Sequence, residues 1–365
     1  MADTLAGTGT VRLLLAGDVM LGRGIDQVMA SPVSPELFEP AVRDARDYVR
    51  LAEAANGPIP APVPADWVWG EALAAMERFA PQLRIVNLET AVTAGGSPWP
   101  AKGIHYRMHP AHLEALRAAR IDAAVLANNH VLDWGTAGLE DSLVHLAAAG
   151  IAVAGAGHDR SAAERPLALP LPDGGRLLLS AWAHASSGIP PGWAATPTRS
   201  GIAQLPGLDD RGLARIAAAL EPHRRAGDRV VVSLHWGANW VERIPEAQRR
   251  FAHGLIDRGL ADLVHGHSSH HPVPFELTRG RLILHGCGDL INDYEGISHP
   301  AGAPAGVRTD LVCLYGVTLD AADGRLLDLE IFPFQLRRFR LTALAKGEKE
   351  TLMATLRPHG ADSGP

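Results

Sequence analysis

Asp262-Leu263-Val264-His265-Gly266-His267-Ser268-Ser269-His270-His271-Pro272 is the most informative segment of this chain. A mostly apolar run, Leu260 to Val264, reads as a short buried strand. It empties into a turn that carries Gly266 and the histidines 265, 267, 270 and 271, and Pro272 closes it. Neutral imidazole is the commonest protein ligand for zinc-like and iron-like ions, and clustered histidine is a compositional sign of metal. A strand opening into a loop can aim several ring nitrogens at one point while the sheet fixes its backbone. Metal binding or acid/base chemistry is favoured here over a solvated His-rich loop.

Outward from this stretch the same pattern repeats. The β-branched run Val230 to Leu234 ends in His235-Trp236-Gly237-Ala238-Asn239. Ile121 to Ala127 ends in Asn128-Asn129-His130, with Asp133 three residues on. Leu83 to Val86 empties into Asn87-Leu88-Glu89, and Val11 to Ala16 into Gly17-Asp18. Ligands of α/β sheets gather outside the C-terminal ends of strands. Each tip alone is ordinary turn chemistry or a packed ring. Their recurrence along a βα succession points to one shared site. An aspartate holding an imidazolium raises its pKa, so Asp133 would make His130 a usable general acid.

The remaining segments read as connections and flanks. Val42 to Ala55, Gly70 to Phe79, Ala111 to Arg120, Gly138 to Ala148, Leu208 to Leu220 and Pro245 to Arg258 have helical spacing. Gly57 to Asp66, with Pro58, Pro60, Pro62 and Pro64, is an extended surface loop, and Trp182 to Ser200 a long one. Val273 to Leu277 and Leu282 to His285 form a hairpin-like pair, Leu311 to Leu319 and Leu326 to Phe332 two more strands, and Arg337 to Arg340 a solvated edge strand. Residues 1–10 are expected to be disordered, 11–340 to form one domain, and 341–365 a terminal helix and tail. Candidates to contact substrate are Arg23, Lys102, Tyr106 and Asp289.

With 365 residues, 47% hydrophobic and 20% charged, the composition is that of a soluble globular protein. The net charge of -6 gives no global basic field for nucleic acid or anionic lipid. The apolar run Val11 to Ala16 is too short to span a bilayer, and no signal-peptide pattern is visible, so the expectation is a cytoplasmic chain without a membrane anchor. Its two cysteines, Cys287 and Cys313, read as buried free thiols.

Taken together, Gly17-Asp18-Val19-Met20-Leu21-Gly22-Arg23, Asn87-Leu88-Glu89, Ala127-Asn128-Asn129-His130 with Asp133 and Gly135, His235-Trp236-Gly237, and Gly266-His267-Ser268-Ser269-His270 resemble the motif series of CapA-type poly-gamma-glutamate capsule-synthesis proteins. That family is similar to the calcineurin-like metallophosphoesterases. The resemblance covers about Val11 to Arg340. It implies an α/β fold, a four-layer metallophosphoesterase-like β-sandwich flanked by helices, with the site at the strand ends. It implies Asp18 as a ligand of a first metal, Asn129, His235 and His267 as ligands of a second, and His270 reaching toward the first. His130 would protonate the leaving group with Asp133 as its partner, and Glu89 lies near the position of a bridging carboxylate.

Several positions depart from the phosphoesterase pattern. Met20 stands where a histidine is usual, Asn87-Leu88-Glu89 replaces a Gly-Asp pair, and two serines separate His267 from His270. Asn239 stands where CapA-type proteins often place Glu. Most of these departures touch the first metal site, which implies one firmly held ion or weak binding, one or two ions of the Mn, Fe or Zn class in all. The activity implied is metal-assisted hydrolysis of a phosphoester or an amide such as a γ-glutamyl link in a small-molecule, peptide or polymer substrate. The alternatives are a metal-free acid/base enzyme such as a peptide epimerase, and a non-catalytic accessory of polymer synthesis.

Overall fold

The strand Thr10–Val19 is almost wholly apolar because both of its faces are covered. In the computed structural model, which describes residues 9–172, 174–297, 302–304 and 307–356, it lies at the centre of an eight-stranded mixed sheet. It runs antiparallel to Leu311–Asp320 on one side and parallel to Leu83–Leu88 on the other. Ala123–Val125 and Ala152–Ala154 continue the parallel half, and Asp289–Ile291 pairs in parallel with the far end of Thr10–Val19. Leu326–Arg337 and Arg340–Ala343 extend the antiparallel half.

A second sheet of six strands has Arg176–Ala183, Arg229–His235, Leu263–His267 and Arg281–Leu284 in parallel, with Leu167–Pro170 and Glu276–Thr278 antiparallel at its edges. Alternation along these strands assigns their faces. Val231, Leu263 and Leu282 share one core with the first sheet. Val230, Val232, Val264 and Ile283 pack instead with Ile216 and Phe251 of the helices Asp210–Leu220 and Glu246–Asp257. On the opposite side, the helix Ala72–Phe79 sets Phe79 edge-on against Phe332 of the first sheet at 5.9 Å. The result is four layers, helices outside two facing sheets, and the parallel strands of each sheet deliver their C-terminal ends to one rim.

Differences from the sequence reading are local. The strand read as Leu260 to Val264 runs Leu263–His267, so His265 and His267 are strand residues rather than turn residues. Imidazole rings are flat enough to alternate like any strand side chain, and both are fully buried here. Trp182 and Ala183 belong to the strand Arg176–Ala183, not to the loop after it. The basic run is not an edge strand throughout: Arg338 and Phe339, at φ 55° and 54°, turn the chain between Leu326–Arg337 and the edge strand Arg340–Ala343. The expected disorder at the N-terminus falls mostly on residues outside the described ones, as does the tail beyond 356; Thr10 is already in a strand. Among the described residues no helix is long and apolar enough to cross a membrane.

Candidate metal centre

Register, not chance, brings the polar strand tips together. His235 lies beside His267 across the second sheet, and Asp18 lies beside both Asn87 and Asp289 across the first. Asp18 is fully buried. Its Oδ1 accepts from Asn87 Nδ2 at 2.7 Å, and its Oδ2 from the backbone N–H of Ser268 at 3.2 Å. Ser268 adopts φ 93°, a conformation costly for a residue with a side chain, and that turn is what points its N–H at the carboxylate.

Two donor groups share Asp18. Ligand atoms of Asp18, His235 and His267 lie within 4.8 Å of one another, and so do those of Asp18, His270 and Asp289. Hydrogen-bond polarity fits the first group to a cation. Asn128 Oδ1 accepts the backbone N–H groups of His130 and Val131, an Asx turn at the strand exit, so its Nδ2 donates to Asn87 Oδ1 at 3.0 Å. Asn87 Nδ2 therefore faces Asp18, Glu89 Oε2 at 3.4 Å and His235 Nδ1 at 3.5 Å as a donor. His235 Nδ1 is thus a lone pair, and its Nε2–H donates to Asn129 Oδ1 at 3.1 Å. His267 Nδ1 lies only 2.7 Å from His235 Nδ1 and 3.9 Å from Asp18 Oδ1. Electron pairs converge on one point in a dry pocket, the arrangement a divalent cation relieves.

The charge balance agrees. Burial and the charge of Asp289 push the Asp18 carboxyl up to about 7. Burial and Asp18 push Glu89 well above the usual carboxylate range. Burial, with neighbouring imidazoles, holds His235 and His267 well below the ordinary histidine value. Uncharged rings beside carboxylates that resist ionisation make a site which binds cations by giving up protons.

Other residues named from the sequence take up distinct places. His270 Nδ1–H donates to Asp289 Oδ1 at 2.7 Å; burial opposes its protonation, but Asp289 and Asp18 carry its pKa upward. Asp289, read as a substrate contact, is therefore set among the candidate ligands. Asn129 spends its amide oxygen on the outer edge of the His235 ring. Glu89 Oε1 stands 3.7 Å from His130 Nε2 and 3.8 Å from His235 Nε2. Asp133 Oδ2 holds His130 Nδ1 at 2.6 Å, and Lys102 Nζ lies 2.5 Å from Asp133 Oδ1. The expected rise in the His130 pKa is not found: burial, helped by Lys102, outweighs Asp133 and brings it down to about 4. The Tyr106 ring meets His130 edge-on at 4.7 Å.

Arg23 does not reach the pocket as a free cation. It is 3% exposed, paired with Asp293 at 2.5 Å and Glu39 at 3.0 Å, with its guanidinium 4.0 Å from the Tyr48 ring centre and 4.4 Å from that of Tyr106. His271 turns away and stacks on Trp240. Met20 is buried in the place of the missing histidine, 3.9 Å from the Tyr294 hydroxyl. Asn87, Asn128 and Ser268 stand inside the quoted motifs without a site role assigned to them; the Asx turn at Asn128, which competes with a site role in the sequence, is what orients the Asn87 amide.

Residues 12–294 match the family described as bacterial capsule synthesis protein PGA_cap. A probable polyglutamine synthesis accessory protein of Mycobacterium tuberculosis is 45% identical over 347 residues, 95% of this chain and 90% of that protein. The PGA biosynthesis protein CapA of Bacillus subtilis is 25% identical over 278 residues, 76% of this chain and 62% of that one. Among solved structures the chain is similar to a calcineurin-like phosphoesterase from Bacillus subtilis, with TM-score 0.43 and 12% identity over 96% of this chain and 97% of that one. A phosphatase from Mycoplasma pneumoniae gives TM-score 0.46 and 13% identity over 89% and 94%. The identity and coverage of the sequence matches place this chain in the bacterial capsule synthesis protein PGA_cap family.

Proposed function

We propose that this chain is a metal-dependent hydrolase acting on a phosphoester or an amide such as a γ-glutamyl bond, in the metabolism of a capsule or poly-gamma-glutamate-type polymer. The observation that supports it most is the meeting of the His235 and His267 Nδ1 lone pairs with Asp18 in a buried pocket. The names of the relatives support the link to polymer metabolism. Free, buried Cys287 and Cys313 fit a reducing compartment such as the cytoplasm.

Asp18, His235 and His267 would hold one cation of the Mn, Fe or Zn class, and Asp18, His270 and Asp289 form the group for a second. When bound, such a cation supplies Lewis-acid polarisation of the scissile phosphoryl or carbonyl group. The protein's own groups handle the protons. Asp133 keeps the His130 proton on Nδ1, which leaves Nε2 open toward Glu89 and the pocket. Glu89, whose burial beside Asp18 raises its proton affinity, stands 3.7 Å from that nitrogen, so the pair can take a proton from water and pass one to a leaving group. Lys102 anchors Asp133 and adds positive charge where an anionic substrate would enter.

The test is a panel of aryl phosphoesters and γ-glutamyl peptides offered to the full chain, stripped with EDTA and then resupplied with Mn²⁺. Hydrolysis that disappears on stripping, returns with Mn²⁺ and falls at least about 100-fold in His130→Asn is the expected result. Full turnover after exhaustive stripping contradicts the proposal. The name of the mycobacterial relative favours a second reading, a non-catalytic accessory, and tight Mn²⁺ binding without turnover on any substrate would support it.

A further inference from the structure

Ser233 and His235 stand two residues apart on one strand, and His265 and His267 two apart on the next, so all four side chains leave the sheet on the same face. Register sets Ser233 beside His265 and His235 beside His267. Val231 and Leu263, next along that face, lie in the core between the sheets. All four polar residues are fully buried.

A carbonyl oxygen only accepts, so His265 Nε2 donates to Ala16 O at 2.9 Å. A fully buried neutral ring carries one proton, here on Nε2, so Nδ1 is a lone pair and accepts from the Ser233 hydroxyl at 3.0 Å. Having given its hydrogen away, Ser233 Oγ accepts from His267 Nε2–H at 2.9 Å. A neutral His267 then carries only a lone pair on Nδ1, the atom facing His235 and Asp18.

We propose that Ser233 and His265 are positioning residues: a relay from the Ala16 carbonyl to His267 fixes the tautomer that presents the Nδ1 lone pair to the cation pocket. The inference rests on the cation-binding part of the function proposed above, and not on any reaction there. The opposite tautomer would aim an N–H at the pocket and remove one ligand. Ala16 belongs to the first sheet, two residues before Asp18, so the relay also ties the ligands of one sheet to those of the other. Partners that orient a metal-binding histidine typically affect affinity about 10- to 100-fold.

The experiment uses the full chain, labelled with ¹⁵N-histidine and stripped with EDTA. Long-range ¹⁵N–¹H correlation spectra report the tautomer of each ring, with the His267 signals identified by their loss in His267→Asn, and calorimetric titration with Zn²⁺ reports affinity. The expected result is a wild-type His267 protonated on Nε2. Ser233→Ala should lose that preference and bind Zn²⁺ about 10- to 100-fold more weakly. His265→Leu should behave like Ser233→Ala. His265→Gln, whose amide can donate to Ala16 and accept from Ser233, should stay near wild type. A wild-type His267 protonated on Nδ1, or a folded Ser233→Ala with unchanged tautomer and affinity, overturns the relay. If Ser233→Ala does not fold, the two His265 variants and the wild-type spectrum decide. Zn²⁺ binding without hydrolysis sinks the proposed activity and leaves the relay standing; hydrolysis with an unchanged tautomer in the folded variants does the reverse.

Discussion

Asp18 shows how a single residue can carry opposing demands. Its carboxyl titrates at about 7 against an ordinary 3.8 because burial and Asp289 oppose its charge. Below about pH 3.8 it is protonated in both folded and unfolded chains, and its contribution to stability is fully present. As pH rises toward 7 the unfolded chain ionises first, and the contribution is lost. Between about pH 5 and about pH 8 the EDTA-stripped wild type should therefore lose melting temperature relative to stripped Asp18→Asn, a difference in which the opposite trend from the buried neutral rings of His130, His235, His265 and His267 cancels, and Mn²⁺ should restore the loss. A wild type whose melting temperature does not fall relative to that variant over the same window would show that Asp18 is ionised without a cation. Asp18, Glu89, His130, His235 and His267 were legible in the sequence because each sits inside or just past an apolar run. Ser233 was not, since it lies within the β-branched run Val230 to Leu234 and reads as core. Asp289 was read as a substrate contact because nothing in its own segment reveals that its strand returns to lie beside Asp18.

At the scale of the element, the return of Asp289–Ile291 to the strand Thr10–Val19 depends on a missing side chain. A Cβ on Gly17 would stand 1.8 Å from the carbonyl oxygen of Gly288, which accepts from the N–H of Asp18 at 3.1 Å. Gly17→Ala should cost about 1–3 kcal/mol in urea unfolding and weaken Mn²⁺ binding together with it. An unchanged unfolding midpoint would mean that the two strands can part without consequence. Strand positions were legible from apolar runs to within a few residues, but their ends were not. Leu263–His267 outlasts its apolar run because Ser233 and the Ala16 carbonyl satisfy the buried rings of His265 and His267, and such partners lie on other strands.

Across the whole molecule, the motif series carried the four-layer fold and the family, and helical spacing found Arg46–Asn56 in the long insertion between the first two strands of the first sheet, but the role of that insertion stayed opaque. The structure shows one use for it. Glu39 and Tyr48 from that insertion and Asp293 from the other end of the chain close on Arg23, behind the pocket. Arg23→Met should destabilise the fold by about 3–5 kcal/mol, because Asp293 and Glu39 are left buried without their cation. Urea unfolding measures it, and a loss under about 1 kcal/mol would mean that water reaches those carboxylates. The proposed function requires ligands from both sheets to converge on one cation. Elemental analysis of the full chain, loaded with Mn²⁺ and dialysed, reads this directly: wild type should retain at least one Mn²⁺ per chain and Asp18→Asn and His267→Ala far less, whereas a wild type that holds no more Mn²⁺ than those variants would contradict it.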